Sequence, residues 1–131
     1  MTKRDDNAIR DALDRIGAAL SSADAQAVAA LWDVPGLVLA DQGARQIETR
    51  AEVTAFFESS IRAYRDRGTP TAIPELDDIT WITNRVAAVR VDWIGVDASG
   101  LATDRESSFY LMRIGDDGVA RIHVAMPRAG S

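Results

Sequence analysis

No cysteine occurs among the 131 residues. Disulfides, thiolate nucleophiles and cysteine metal sites are therefore excluded. There is one histidine, His123, so a multi-histidine zinc site within one chain is excluded as well. Basic residues are outnumbered, 15 against 20 acidic ones, for a formal net charge of −5. They are scattered rather than clustered, which argues against neutralising a phosphate backbone or an anionic membrane surface. No apolar run approaches the roughly 20 residues of a membrane span. The opening residues M-T-K-R-D-D-N lack the apolar stretch of a secretory signal. Gly-rich phosphate loops, G-x-S-x-G and H-E-x-x-H are all missing. Asp116-Asp117-Gly118 lacks the spaced oxygen ligands of a calcium loop. These absences predict a cytoplasmic protein with no metal, no cofactor, no nucleic-acid partner and no membrane partner.

What is present is ordinary globular material: 47% apolar and 27% charged residues. The length fits a single domain over residues 1–131, with flexible ends at 1–6 and 128–131. Ile9, Leu13, Ile16 and Leu20 recur at helical steps, with Arg10, Asp11, Asp14 and Arg15 opposite. Asp24 is an N-cap for a second helix carrying Val28, Leu31 and Trp32, which Pro35 and Gly36 should end. A buried strand is expected over Gly36 to Ala40, then a turn at Asp41-Gln42-Gly43 with Arg45 to Ile47 pairing back. Thr49 and Glu52 form a capping box. The helix it opens carries Val53, Phe56, Phe57, Ile61 and Tyr64 and runs to about Asp66.

Strands are expected at Asp77 to Thr83, Val86 to Val96, Glu106 to Ile114 and Val119 to Met126. The D-A-S-G at 97–100 and Asp116-Asp117-Gly118 supply turns. Three helices followed by an antiparallel meander is an α+β pattern. Alternation along 106–114 sets Phe109 and Leu111 on one face and Tyr110, Met112 and Ile114 on the other. Both faces are apolar, yet helices can cover only one. With Ile122 and Val124 added, the outer face suggests a homodimer; a few singly exposed apolar residues are the plain alternative.

The stretches A-A-L-S-S-A-D, A-A-L-W and A-E-V-T-A-F-F, in this order between Ala18 and Phe57, resemble the nuclear transport factor 2-like superfamily, which includes ketosteroid isomerases and SnoaL-like polyketide cyclases. The resemblance covers Ile9 to Met126. It implies three N-terminal helices packed on a curved, mostly antiparallel sheet that forms a cone-shaped barrel with an apolar pocket, often in a homodimer. Carried over from ketosteroid isomerase, the general-base aspartate falls on Ala40, not on Asp41. The oxyanion-hole tyrosine falls on Ile16 and the oxyanion-hole aspartic acid on Tyr110. None of the three groups is kept, so steroid isomerisation is rejected. Asp41 could act as a base only where a bulge or turn re-aims it, because a one-residue offset reverses the face. Turn chemistry is its simpler role.

The same carry-over points Phe56, Phe57, Val91, Trp93, Tyr110 and His123 into the cone. By alternation Arg121 shares the face of His123, and Glu106 and Ser108 share that of Tyr110. His123 is the natural proton carrier near neutrality. Paired with Tyr110, and with Asp41 or Glu106 as an orienting carboxylate, it resembles what dehydratases of this fold use. The alternative is a strand histidine bonded to its neighbours. Trp93, Trp81, Phe56 and Tyr64 are either core or a ligand-stacking wall. Three functions stay open: a cofactor-free acid–base enzyme (isomerase, cyclase or dehydratase) on an apolar carbonyl or hydroxylated ring compound, a binding module for an apolar small molecule, and a dimeric interaction domain. The last predicts a cone filled by Trp93, Phe56 and Phe57.

Overall fold

In the computed structural model residues 4–127 are described. The first helix, α1 (Asp6–Ser21), buries all of Ile9, Leu13, Ile16 and Leu20, as their spacing requires. Asp5 caps it, its carboxylate accepting the amides of Asn7 and Ala8. The other residues expected to be flexible, 1–3 and 128–131, lie outside the described residues.

Asp24 caps α2 (Ala25–Ala29) by accepting the Ala27 amide at 3.1 Å. This helix ends at Ala29, before Pro35-Gly36, and Trp32 opens a strand instead of extending it. Strand β1 (Trp32–Ala40) contains Pro35 and Gly36. They are tolerated because the ladder to the neighbouring strand skips from Trp32 to Leu37, so the missing proline amide costs no ladder bond. Strand β2 (Gly43–Ile47) pairs back on β1 as expected.

Thr49 caps α3 (Arg50–Asp66) by accepting the Glu52 amide at 3.2 Å. The Glu52 carboxylate accepts the Thr49 hydroxyl at 3.3 Å rather than the Thr49 amide, so the box is half formed. Strand β3 (Thr71–Trp81) starts six residues before the expected Asp77. Pro74 obscured its beginning, yet β3 is an edge strand, where proline is allowed. Strand β4 (Val86–Val96) has its expected bounds, β5 (Ala102–Ile114) begins four residues early, and β6 is Ala120–Pro127.

The six strands form one sheet in the order β2-β1-β6-β5-β4-β3. β1 and β6 are parallel and every other pair is antiparallel. With β2 and β3 as edges the sheet is open and curved; it is not a closed barrel. The helices share one core with the inner sheet face, through Val89, Val91, Met112 and Ile122. Among the described residues no helix is long and apolar enough to cross a membrane.

One irregularity matters most. Leu111 faces Val124 and Met112 faces Ile122, leaving His123 as an extra residue on β6. Such a bulge reverses the inward and outward parity on either side of it. Ile122 is therefore in the core at 2% exposure, not on the outer face with Val124 as alternation suggested. Phe109 remains an exposed outer residue, with Leu111 and Val124 half-buried. Arg90 and Asp92 also face outward, pairing with Asp77 and Arg105 at 3.0 and 2.6 Å.

Candidate functional site

A cavity of about 250 Å³ opens between the helices and the inner sheet face. Helical spacing turns Phe57, Ser60 and Tyr64 of α3 and Ile16 and Leu20 of α1 toward it. Period-two alternation brings Asp104, Glu106, Ser108 and Tyr110 of β5 to its wall. Trp32, Val38, Phe56, Trp93, Ile122 and Ala125 complete a mainly apolar lining. Trp93, Phe56 and Phe57 thus line the space without filling it. Phe57 packs on Trp32 at 5.9 Å and edge-on to Phe56 at 5.1 Å between ring centroids.

Inside, the indole N–H of Trp93 donates to the Tyr110 hydroxyl at 2.8 Å. Burial pushes the Tyr110 phenol above its usual range, more than the bonds from Trp93 and Ser108 pull it down, and the Glu106 charge adds to the rise. Burial first, and Glu106 second, push Tyr64 up to about 12. Both phenols therefore keep their protons at neutral pH. Since Tyr110 accepts from Trp93, its own O–H is left to donate. Trp32, also in the wall, is 2% exposed, and its indole N–H is buried with no partner among the described residues.

Arg67 caps the C-terminal end of α3. One nitrogen of its guanidinium lies 3.3 Å from an Asp104 oxygen and 3.4 Å from a Glu106 oxygen. The same guanidinium sits 5.1 Å from the centre of the Tyr64 ring. These partly exposed groups rim the cavity, and each pair on its own is worth little in water.

Of the residues expected at a site, Tyr110, Trp93, Phe56, Phe57 and Glu106 meet around the cavity. Val91 is fully buried in the core beside it without lining it. His123 does not join Tyr110. The bulge carries its side chain to the surface, 53% exposed, and its nearest acidic neighbour, Asp33, is 3.9 Å away. Arg121 is held by the Asp117 carboxylate at 2.8 Å and the Ala30 carbonyl at 3.2 Å, and it does not line the cavity. Asp41 is exposed at the β1–β2 turn. Trp81 donates to Asp6 at 2.8 Å, tying β3 to α1 outside the cavity. Arg67, Asp104 and Trp32 were not expected there. Asp104 is signalled only by extending the alternation of β5 backwards, and Arg67 only by its place three residues after Tyr64. Among the described residues no group of three His, Cys, Asp or Glu side chains could hold a metal ion.

Solved structures with this architecture come from several bacteria. A domain of unknown function with a cystatin-like fold from Nostoc punctiforme has a TM-score of 0.76 and 18% identity, over 97% of this chain and 78% of its own. An NTF-2 like protein of unknown function from Shewanella oneidensis has a TM-score of 0.71 and 16% identity, over 93% and 97%. A ketosteroid isomerase-like protein from Erwinia carotovora atroseptica has a TM-score of 0.68 and 19% identity, over 92% of each chain. At such identities the likeness is one of fold. No curated protein matches the chain. Residues 5–130 match the family described as NTF2-like protein (DUF6841). The helices, the open sheet and a match over nearly the whole length agree, and the chain belongs to this NTF2-like family.

Proposed function

We propose that the cavity binds a small, mainly apolar molecule, a carbonyl or hydroxylated ring compound, in the manner of a SnoaL-like pocket protein of the cytoplasm. The observation that carries this reading is the Trp93–Tyr110 hydrogen bond. It orients a protonated phenol in an apolar wall, where its O–H can turn from the Ser108 hydroxyl to a ligand oxygen.

A second reading adds turnover. Tyr110 would polarise a carbonyl while Glu106, on the same face of β5, takes a proton from the neighbouring carbon, the division of labour of an isomerase, cyclase or dehydratase. Neither step calls for a cofactor. The outer face around Phe109, Leu111 and Val124 supports a homodimer, now without Ile122, and leaves an interaction domain as the non-catalytic alternative.

A thermal-shift screen of cyclic ketones, phenols and ring alcohols tests the binding reading. Stabilising compounds should lose most of their effect in Tyr110→Phe and keep it in His123→Ala. Equal shifts in wild type and Tyr110→Phe, or no shift from any compound, would refute it.

A further inference from the structure

We infer that the molecule bound in this cavity carries a positive charge at its outer end, an apolar ring compound with a single amine, and this rests on the ligand-binding reading above. The charged residues of the cavity wall are Arg67, Asp104 and Glu106, one cation against two carboxylates. The rim is thus left with one net negative charge. Arg67 does not saturate it. A single nitrogen is shared between the two acids at 3.3 and 3.4 Å, well short of the bidentate geometry that makes an arginine–carboxylate pair strong. A carboxylate offers about four acceptor positions. Glu106 uses one of them on Arg67, and Asp104 one on Arg67 and another on the Arg105 amide.

An ammonium group has three donors and no fixed plane, so it suits two convergent carboxylates better than the guanidinium present. Entry would require only that Arg67 swing outward, since its side chain is 49% exposed and held by weak pairs. The face of Tyr64, which now carries the guanidinium, would then be open to the incoming cation. The ring of the ligand would rest against Phe57 and Trp93, with the Tyr110 hydroxyl beyond it. An anionic ligand fares worse. It could reach the other N–H groups of Arg67, but it would still face two carboxylates against one cation. The field of Glu106 already reaches both phenols and opposes their ionisation.

The test is titration calorimetry with three probes that share one ring system: 2-naphthylmethylamine, 2-naphthylmethanol and 2-naphthoate, at pH 7 and low salt. The amine should bind at least about tenfold more tightly than the acid, with the alcohol between them. Glu106→Gln should weaken the amine by about fivefold and leave the alcohol unchanged, whereas Arg67→Ala should strengthen the amine. The margin should shrink in 0.5 M salt. Alcohol or acid binding as tightly as the amine overturns the charge assignment alone, as does an amine preference that survives Glu106→Gln combined with Asp104→Asn. Binding by none of the three overturns the ligand-binding reading, and this inference with it.

Discussion

Gly17→Ala sets two effects of opposite sign against each other. Gly17 is a buried residue in the interior of α1. By helix propensity alone, alanine there should stabilise the protein by about 1 kcal/mol. The packing opposes it. A methyl group at Gly17 would lie 2.9 Å from Cδ of Pro74 and 3.1 Å from the carbonyl oxygen of Ala72. Neither atom is the mobile end of a flexible side chain: one belongs to a closed ring and the other to the backbone of β3. Carbon atoms ordinarily sit about 3.5–4.0 Å apart, so α1 and β3 must separate by about half an ångström or more. That separation also strains Ser21, whose hydroxyl donates to the Gly17 carbonyl at 2.8 Å and accepts the Ala72 amide at 3.0 Å. Overpacking costs about 1–3 kcal/mol, and a weakened hydrogen bond adds about 1 kcal/mol. The net expectation is a loss of about 1–3 kcal/mol, or roughly 4–11 °C in Tm for a domain of this size. Urea unfolding followed by circular dichroism measures it, with an unchanged slope confirming that both states are comparable. Ala18→Gly, at the exposed neighbour, isolates the propensity effect and should cost about 1 kcal/mol. If Gly17→Ala proves as stable as wild type or more so, the close approach of α1 to β3 is wrong.

Two further outcomes follow from groups already described. The chain has two tyrosines, Tyr64 and Tyr110, and both are held above their ordinary range. Absorbance at 295 nm should therefore show no phenolate step near pH 10 in the folded protein. Because the folded value of Tyr64 lies above the unfolded one, its contribution to stability is complete below pH 10 and is lost as pH rises toward about 12. A step near pH 10 with the circular dichroism signal intact would disprove the burial of both rings. Asp24→Ala removes the acceptor of the Ala27 amide and should cost about 1 kcal/mol in urea unfolding, whereas Asp24→Asn should cost much less. Equal losses for the two would show that charge, not capping, is what matters there.

The helices were legible because their signal is local. Steps of four, three and four from Ile9 to Leu20 determine a buried face, and Asp24 and Thr49 mark starts through bonds within three residues. The same holds for β4, where Ala87, Val89 and Val91 alternate with outward Ala88 and Arg90. What stayed hidden depends on partners far along the chain. Nothing in R-I-H-V-A marks an extra residue on β6; the bulge exists only relative to Leu111 and Met112. That one residue moved Ile122 inward and His123 outward, and with them the expected catalytic pair. Pro35-Gly36 resembles a helix stop until β6 lies beside β1 and the ladder is seen to skip it. Arg67 carries no sign of a cavity rim in its own surroundings, since its acidic partners lie 37 and 39 residues away.

The place of β6 in the sheet governs the order in which the protein can be made. Residues 120–127 lie between β1, built from residues 32–40, and β5. On the ribosome, β1 therefore emerges some 80 residues before the only strand that can occupy its free edge. Until then the strands already made can pair only as two separate pieces, the β1–β2 hairpin and the β3–β4–β5 meander, each leaving a row of backbone N–H and C=O groups unpaired. A break in translation shortly before residue 120 would remove the centre of the sheet and not its margin. Such a product should be recognised by chaperones and proteases as unfolded, however complete its helices are.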